Sequence, residues 1–190
     1  MKILEKNSKA FKEWAIVVDA LGKGRQILIF RKGGIHEGIG GFEVEEREFF
    51  LFPTYEHQNK EELIPEVHPR LEEIITHQPK DGQAHLNFYA SIQAVYKITD
   101  IDRLYELEGH HVWTRSLVEE RFNWGKEKGL FVFALRVFRL PEEIITPYQQ
   151  EYGGCKSWLS FQQSYSTEGT PVLSNPAFHE KLRAVQRILQ

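Results

Sequence analysis

The alternation that decides the fold runs from residue 85 to residue 98 and reads HLNFYASIQAVYKI. Apolar side chains occupy every second position, which is the period of a β-strand with one face in the core. These positions are Leu86, Phe88, Ala90, Ile92, Ala94, Tyr96 and Ile98. Strands usually contain about five or six residues, so a strand of this length predicts a strongly curved or barrel-like sheet.

Shorter elements surround this strand. Apolar runs predict strands at residues 14–21, 26–31, 49–52, 130–140 and 156–161, and a glycine turn between the first two indicates a hairpin. Capping and periodic signals predict helices at residues 69–77, 100–107, 114–122 and 175–189. Together these elements predict an α+β fold, with a curved, mostly antiparallel sheet or a small barrel and short helices.

The composition is that of a folded globular protein. The chain has 190 residues, of which 41% are hydrophobic and 27% charged, and this is enough to bury a core. We expect a single domain over residues 1–190, with a sub-boundary near residues 79–83 as the best alternative, because Pro79 and Gly82 interrupt the pattern there.

The same totals predict a compartment. Cys155 is the only cysteine, so an intramolecular disulfide is excluded and a reducing environment is the simplest interpretation. No apolar run approaches the roughly 20 residues of a membrane helix, and the first residues are too polar for a signal peptide. We therefore expect a cytoplasmic protein with no membrane partner; the oligomeric state is left open.

A dense polar group follows one of the predicted strands. Residues 49–58 read FFLFPTYEHQ, so four apolar side chains lead into Pro53 and hydrogen-bonding side chains follow at once. Pro53 cannot donate a ladder hydrogen bond and marks the end or edge of the strand. The polar group is either half of a site at the end of a sheet or a strand leaving the core.

The other half of such a site would be the glycine-rich segment at residues 32–41, which reads KGGIHEGIGG. Backbone amides of Gly33 and Gly34, with the flanking Arg31 and Lys32, could bind a phosphate. Tyr55 and Gln58 would add binding groups from the polar stretch. The spacing matches neither the phosphate loop of nucleotide hydrolases nor the dinucleotide fingerprint, and the sequence leaves open whether the two segments meet.

Acid–base chemistry has its own candidates. Glu56 and His57 could serve as acid and base beside Glu37, acting on a water or around a metal. No established zinc spacing is present, so no metal site and no cofactor are assigned.

Aromatic and basic residues form a third group in the second half of the chain. Trp113, Trp124, Arg121 and Arg136 provide flat faces and positive charge, which are the elements for stacking an unpaired base. The net charge of −3 argues against a general attraction to nucleic acid, so any such site must be local.

Several of these stretches resemble a known family. The segments KEWA at residues 12–15, RKGGIHE at 31–37, FPTYEHQ at 52–58 and GCKSW at 154–158 are similar to the domain of unknown function 1802 family of bacterial proteins. The resemblance implies no assigned activity. It implies a link to restriction or defence, because members of the family are associated with a restriction-endonuclease-type domain; without such a domain, this chain would be a partner or a reader.

A second likeness concerns the layout of the back half, where a helix, Trp124, a strand and the GCKSW turn are similar to PUA-like barrels, which include readers of modified bases. Three functions follow as hypotheses. The first is a nucleic-acid-binding or accessory module, with nucleic acid or a nuclease as partner. The second is a hydrolase or nuclease centred on Glu37, Glu56 and His57. The third is a protein-interaction subunit without a ligand.

Overall fold

The computed structural model describes residues 3–32, 35–38, 41–44, 46–79, 82–154 and 156–190, with the backbone alone over 35–38 and 41–44. The strands are β1 (Lys6–Trp14), β2 (Leu28–Arg31), β3 (Ile35–Gly38), β4 (Gly41–Val44), β5 (Glu48–Thr54), β6 (Gln83–Ile98), β7 (Leu130–Pro147), β8 (Trp158–Ser166) and β9 (Thr170–Pro171). The helices are α1 (Ala15–Gly22), α2 (His68–Thr76), α3 (Ile101–Tyr105), α4 (Arg115–Asn123) and α5 (Asn175–Leu189).

One large sheet organises these elements. Its strand order is β2-β7-β6-β5-β1-β8, with β9 paired to β7, while β3 and β4 form a separate two-stranded hairpin. The neighbours β1 and β5 are parallel, and the other pairs in the large sheet are antiparallel. The predicted α+β class with a curved, mostly antiparallel sheet is therefore confirmed.

The apolar run before Pro53 is explained by burial on both faces of β5. Phe49 and Leu51 belong to the main core beneath the helices, whereas Phe50 and Phe52 belong to a second core on the opposite face of the sheet. A strand covered on both faces needs an almost continuous apolar sequence rather than an alternating one. Pro53 lies inside β5, paired with Glu13 of β1.

The predicted strand at residues 14–21, and the hairpin built on it, are wrong. The segment is helix α1, and the strand before it is β1, which the sequence interpretation missed. Almost every side chain of α1 is buried, and a helix that is apolar all round has no periodic signature to separate it from a buried strand. Gly22 ends the helix against the ring of Phe88, which lies where a Cβ atom would be.

The long alternation is confirmed as β6, but it does not have a single buried face. A shift of register separates the pairs Leu86–Ile144 and Phe88–Arg139, and a second shift follows Ile92. Consequently Leu86 packs in the second core and Phe88 in the main core. Such bulges bend a long strand and strengthen its twist. β7 continues through Pro141 because that proline lies within the irregular part of the ladder.

The predicted helices are present with small changes of boundary. Thr114 caps α4 by accepting a hydrogen bond from the N–H of Leu117, and Asp100 caps α3 through the N–H of Asp102. Ser174, rather than Asn175, is the cap of α5. β5 lies before residues 79–83 and pairs with β6 after them, and the single-domain organisation stays a prediction. No helix in the described ranges is both long enough and apolar enough to span a bilayer.

The two edge strands of the large sheet approach each other. Arg31 at the end of β2 donates a hydrogen bond from Nη2 to the hydroxyl of Ser157, the residue before β8. The guanidinium also lies 4.7 Å from the ring centroid of Phe11 in β1. Because β2 and β8 are at opposite ends of the strand order, this contact joins the edges and produces a seam.

Candidate functional site

A cavity of about 620 Å³ opens at this seam, and we call it the seam pocket. Its walls come from six separate parts of the chain. They are the end of β1 (Lys12, Glu13, Trp14), the end of β2 (Phe30, Arg31, Lys32), the residues at and after the end of β5 (Thr54, Glu56, His57), α4 and the residue that follows it (Arg121, Trp124), the start of β7 (Leu130), and the turn into β8 (Gly154, Lys156, Ser157, Trp158).

The strand directions explain why the ends of β1 and β5 meet the start of β8, and the bond from Arg31 to Ser157 adds the end of β2. Because β1 and β5 are parallel, their carboxyl ends lie side by side at one end of the strands, and Trp14 pairs with Thr54 there. β8 runs antiparallel to β1, so its first residue, Trp158, lies opposite Phe11 at that same end. The polar group after β5 therefore does border a cavity, and its neighbours are the ends of β1 and β2 rather than the start of a hairpin.

Arg121 is the residue that α4 contributes to the wall of the seam pocket, and its guanidinium lies over two indole rings. The guanidinium carbon of Arg121 lies 4.9 Å from the ring centroid of Trp14 and 5.4 Å from that of Trp113. Trp113 is only 1% exposed and packs against Phe30. Trp113 thus supports Arg121 from beneath and is itself out of reach of a ligand, contrary to the expectation that it would stack on a base.

Two lysines of the lining are already engaged. The ammonium of Lys32 donates to the carbonyls of Phe122, Glu127 and Gly129, at 2.8, 2.6 and 3.0 Å. Since an ammonium has only three hydrogens, Lys32 can influence a ligand through its charge but has no donor left for it. Lys12 donates to the carbonyls of Tyr152 and Gly154, which fixes the turn before β8.

The backbone of that turn depends on Gly154. Its φ of +72° lies in the left-handed region, which residues with a Cβ atom rarely adopt. Its carbonyl accepts the hydrogen bond from Lys12 at 3.0 Å. The geometry holds Lys156 and Ser157 at the mouth of the seam pocket.

Glu13 is the buried acid of the seam pocket. Glu13 is only 6% exposed, and its Oε1 accepts a hydrogen bond from the N–H of Trp14 at 2.7 Å. Burial raises the pKa of Glu13, and the positive charges of Arg121 and Arg31 partly oppose that rise. Burial lowers the pKa of Arg31, and Glu13 opposes that fall.

Trp124 distinguishes this cavity from a structural void. It is 69% exposed, the most exposed of the large apolar side chains among the described residues, and it stands on the rim just after α4. An exposed indole ring at the rim of a cavity offers a flat face on which a ligand ring can stack. The pocket also has five lysine and arginine side chains against two glutamates, so its local charge is positive in a protein of net charge −3.

Glu56 and His57, the predicted acid and base, both line the seam pocket and are exposed. His57 has a φ of 59°, the only left-handed non-glycine residue in the described ranges. Such a backbone is uncommon and is found at turns and functional sites. Within those ranges no group of three or more His, Cys, Asp or Glu side chains is arranged to hold a metal ion.

Three other predicted binding residues lie outside the seam pocket. Gln58 accepts a hydrogen bond from the N–H of Ile16 at 3.0 Å and so caps the first turn of α1. Arg136 is bound to Ser174 and Asn175 and fixes the start of α5. Tyr55 lines two other cavities instead.

Those cavities lie on the far side of the stretch after β5. The smaller one, about 250 Å³, contains a polar cluster in which Glu143 accepts hydrogen bonds from His85 and Asn87 at 2.9 and 2.8 Å. Burial, and secondarily the charge of Glu143, raises the pKa of Tyr55. Thr54 and Glu56 border both the seam pocket and the larger of these cavities, so this stretch is a wall between them.

Three further sequence candidates cannot be placed in the site. Gly33 and Gly34 lie outside the described residues, as does the side chain of Glu37, whose backbone belongs to β3.

Lys12, Glu13, Trp14, Lys156 and Ser157 were missed as site residues. Each lies in a segment on which the family resemblance was based, and that grouping was the signal that could have identified them. Chemistry alone did not separate them from ordinary surface and core residues.

Comparison with known proteins gives a family and a distant structural likeness. The sequence matches no curated protein. The fold is similar to the ASCH protein from Zymomonas mobilis, with 11% identity over 93% of each chain and a TM-score of 0.43. A serine-to-alanine variant of that protein gives 12% identity over 96% of this chain and 99% of the other, with a TM-score of 0.44.

A tyrosine-to-phenylalanine variant of the same protein gives 10% identity over 93% of this chain and 96% of the other, with a TM-score of 0.45. At these values the likeness carries no functional inference, and the PUA-like layout stays a prediction. The family model described as "Domain of unknown function (DUF1802)" matches residues 10–184 of the 190. The chain therefore belongs to the DUF1802 family.

Proposed function

We propose that the seam pocket binds single-stranded nucleic acid, with an unpaired base against Trp124 and a phosphate beside Arg31, Arg121 and Lys156. The observation that carries this proposal is the exposed Trp124 on the rim of a positively charged cavity. Aromatic faces and cations together are the usual means of holding unpaired nucleotides, because every base has a π-face and every linkage a negative charge.

The overall charge of the protein is consistent with a local site of this kind. A net charge of −3 provides no general attraction for a polyanion, so binding would depend on the few cations of the seam pocket. We expect a modest salt dependence, with log K falling by about 0.7 per neutralised phosphate for each unit of log salt concentration. Binding over an extended basic face would give a steeper slope.

The test is fluorescence anisotropy with labelled single-stranded RNA and DNA of about eight nucleotides, at low and moderate salt. Loss of base stacking in Trp124→Ala costs about 1–3 kcal/mol, or about 5- to 150-fold in affinity. Tyr148→Ala is the aromatic control, since Tyr148 is 43% exposed but does not line the seam pocket.

Two arginine variants, one inside the seam pocket and one outside it, test the role of positive charge. Arg121→Gln should weaken binding and reduce the salt slope, whereas Arg183→Ala, on the exposed face of α5, should leave both unchanged. If the wild-type protein binds no oligonucleotide at low salt, or if Trp124→Ala binds like the wild type, the proposal is wrong.

A water-using hydrolase is the second candidate function, because Glu56 and His57 line the same pocket as the cations. It predicts turnover of bound RNA or DNA that His57→Ala abolishes without loss of affinity. The link to restriction or defence, a nuclease partner, and a role as an interaction subunit stay predictions without a structural argument of their own.

A further inference from the structure

The buried carboxylate of Glu13 is the feature of the seam pocket that binding of phosphate and base leaves unexplained. Glu13 lines the cavity at the end of β1 although only 6% of the residue is exposed. A phosphate-binding pocket gains nothing from a negative charge in its wall. A carboxylate placed there must therefore stabilise the fold or contact a part of the ligand that carries N–H groups.

The hydrogen bonds of Glu13 favour the second explanation. Within the described residues, its carboxylate accepts one hydrogen bond, from the N–H of Trp14 to Oε1, and no lysine or arginine nitrogen forms an ion pair with it. A carboxylate can accept several hydrogen bonds, so the single bond from Trp14 leaves acceptor positions on Glu13 at the wall of the cavity. Donors from a bound molecule would occupy them.

The standard bases differ in what they present to such a group. Guanine has two adjacent N–H donors on its Watson–Crick edge, the ring N1–H and the 2-amino group, and these match the two oxygens of a carboxylate. Adenine and cytosine place an acceptor next to their amino group, and uracil has a single N–H between two carbonyls. A carboxylate in a base pocket therefore discriminates by hydrogen-bond pattern.

We propose that Glu13 makes the seam pocket selective for guanine, its carboxylate accepting the N1–H and the 2-amino N–H of an unpaired guanine held near Trp124. This inference rests on the proposed function and names the base that the site takes. Burial raises the pKa of Glu13, and the charges of Arg121 and Arg31 oppose that rise; the two N–H donors of a bound guanine would further stabilise the ionised carboxylate.

The experiment compares four RNA oligonucleotides of about eight nucleotides, each uridine-rich and differing at one central position: guanine, inosine, adenine or uracil. Anisotropy with the full chain should show the guanine oligonucleotide bound about tenfold or more tightly than the adenine or uracil one. The inosine oligonucleotide, which lacks the 2-amino group, should be intermediate.

Glu13→Gln should remove the preference and leave all four affinities near that of the adenine oligonucleotide, since the amide keeps an oxygen for Trp14 but offers a donor to the base. Glu120→Gln, an exposed position on α4 outside the pocket, should keep the preference. Circular dichroism confirms that both variants are folded.

The outcomes separate the two proposals. If all four oligonucleotides bind alike, or if Glu13→Gln keeps the guanine preference, the inference about Glu13 is overturned while the nucleic-acid site stands. If none of the four binds at low salt, the proposed function fails and the inference fails with it.

Discussion

Replacing Arg31 by methionine and Ser157 by alanine, singly and together, measures how strongly the two edges of the sheet are joined. The hydrogen bond between these residues has a charged donor and lies in a partly buried seam. Such bonds contribute about 1.5–3 kcal/mol. Arg31 also covers the ring of Phe11 at 4.7 Å, a cation–π contact that contributes about 0.5–2 kcal/mol.

The single changes are therefore expected to be unequal. Arg31→Met should lower the free energy of unfolding by about 2–5 kcal/mol, because both contacts are lost, and Ser157→Ala by about 1.5–3 kcal/mol, because only the hydrogen bond is lost. The double variant should be less destabilised than the sum, with a coupling energy of about 1.5–3 kcal/mol that isolates the bond across the seam.

Urea unfolding followed by tryptophan fluorescence and by far-ultraviolet circular dichroism gives these free energies, provided that the m-value is the same in all four proteins. A coupling energy below about 0.5 kcal/mol, within the usual error of additivity, would show that Arg31 does not hold the edges together. The description of the pocket as a seam closed by this pair would then be wrong.

Three further changes test the core and its buried charges. Gly22→Ala should destabilise the protein by about 1–3 kcal/mol, because the added methyl would lie 2.1 Å from the ring of Phe88; an unchanged urea midpoint would contradict that packing. Glu13→Gln should gain stability relative to the wild type as the pH rises above about 4.5, because burial raises the pKa of Glu13 and ionising it in the folded protein then costs stability. A pH-independent difference in unfolding free energy would refute this. Burial lowers the pKa of His111 to about 4 from 6.5, so the free energy of unfolding of the wild type should fall by about 3 kcal/mol between pH 6.5 and pH 4. Thermal melts of His111→Leu should show a smaller loss of stability over this pH range. An equal loss in both proteins would exclude His111 as its cause.

The elements with strong local signals could be predicted from the sequence. The long alternation of β6 is visible because one residue in two is apolar, and α4 and α5 are visible because a capping side chain precedes an amphipathic pattern. These features depend on neighbours in the chain, so the sequence alone contains the necessary information.

Helix α1 could not be predicted in the same way. Residues 15–21 read AIVVDAL, whose β-branched side chains favour a strand. In the folded protein nearly every side chain of this segment is buried against the sheet, and this packing stabilises a helix instead. Gln58 adds a cap from the far end of β5. Both causes are tertiary, and neither leaves a periodic trace in the segment itself.

The site was predicted in part for a related reason. Arg31, His57 and Trp124 were identified by their chemistry, and all three line the seam pocket. Arg136 was chosen by the same reasoning, yet it anchors α5. Arg31 lines the pocket because it contacts Ser157, which is 126 positions away in the chain. No local sequence pattern reveals such a contact, so Arg31 and Arg136 could not be told apart.

Binding of nucleic acid as proposed requires an unpaired base to lie against Trp124 at the mouth of the seam pocket. That contact can be detected by photocrosslinking of single-stranded RNA that carries 5-iodouridine, followed by mass spectrometry of the crosslinked peptides. We expect a crosslink at Trp124 that unlabelled RNA competes away. Crosslinks confined to residues outside the pocket, with none at Trp124, would show that the base lies elsewhere.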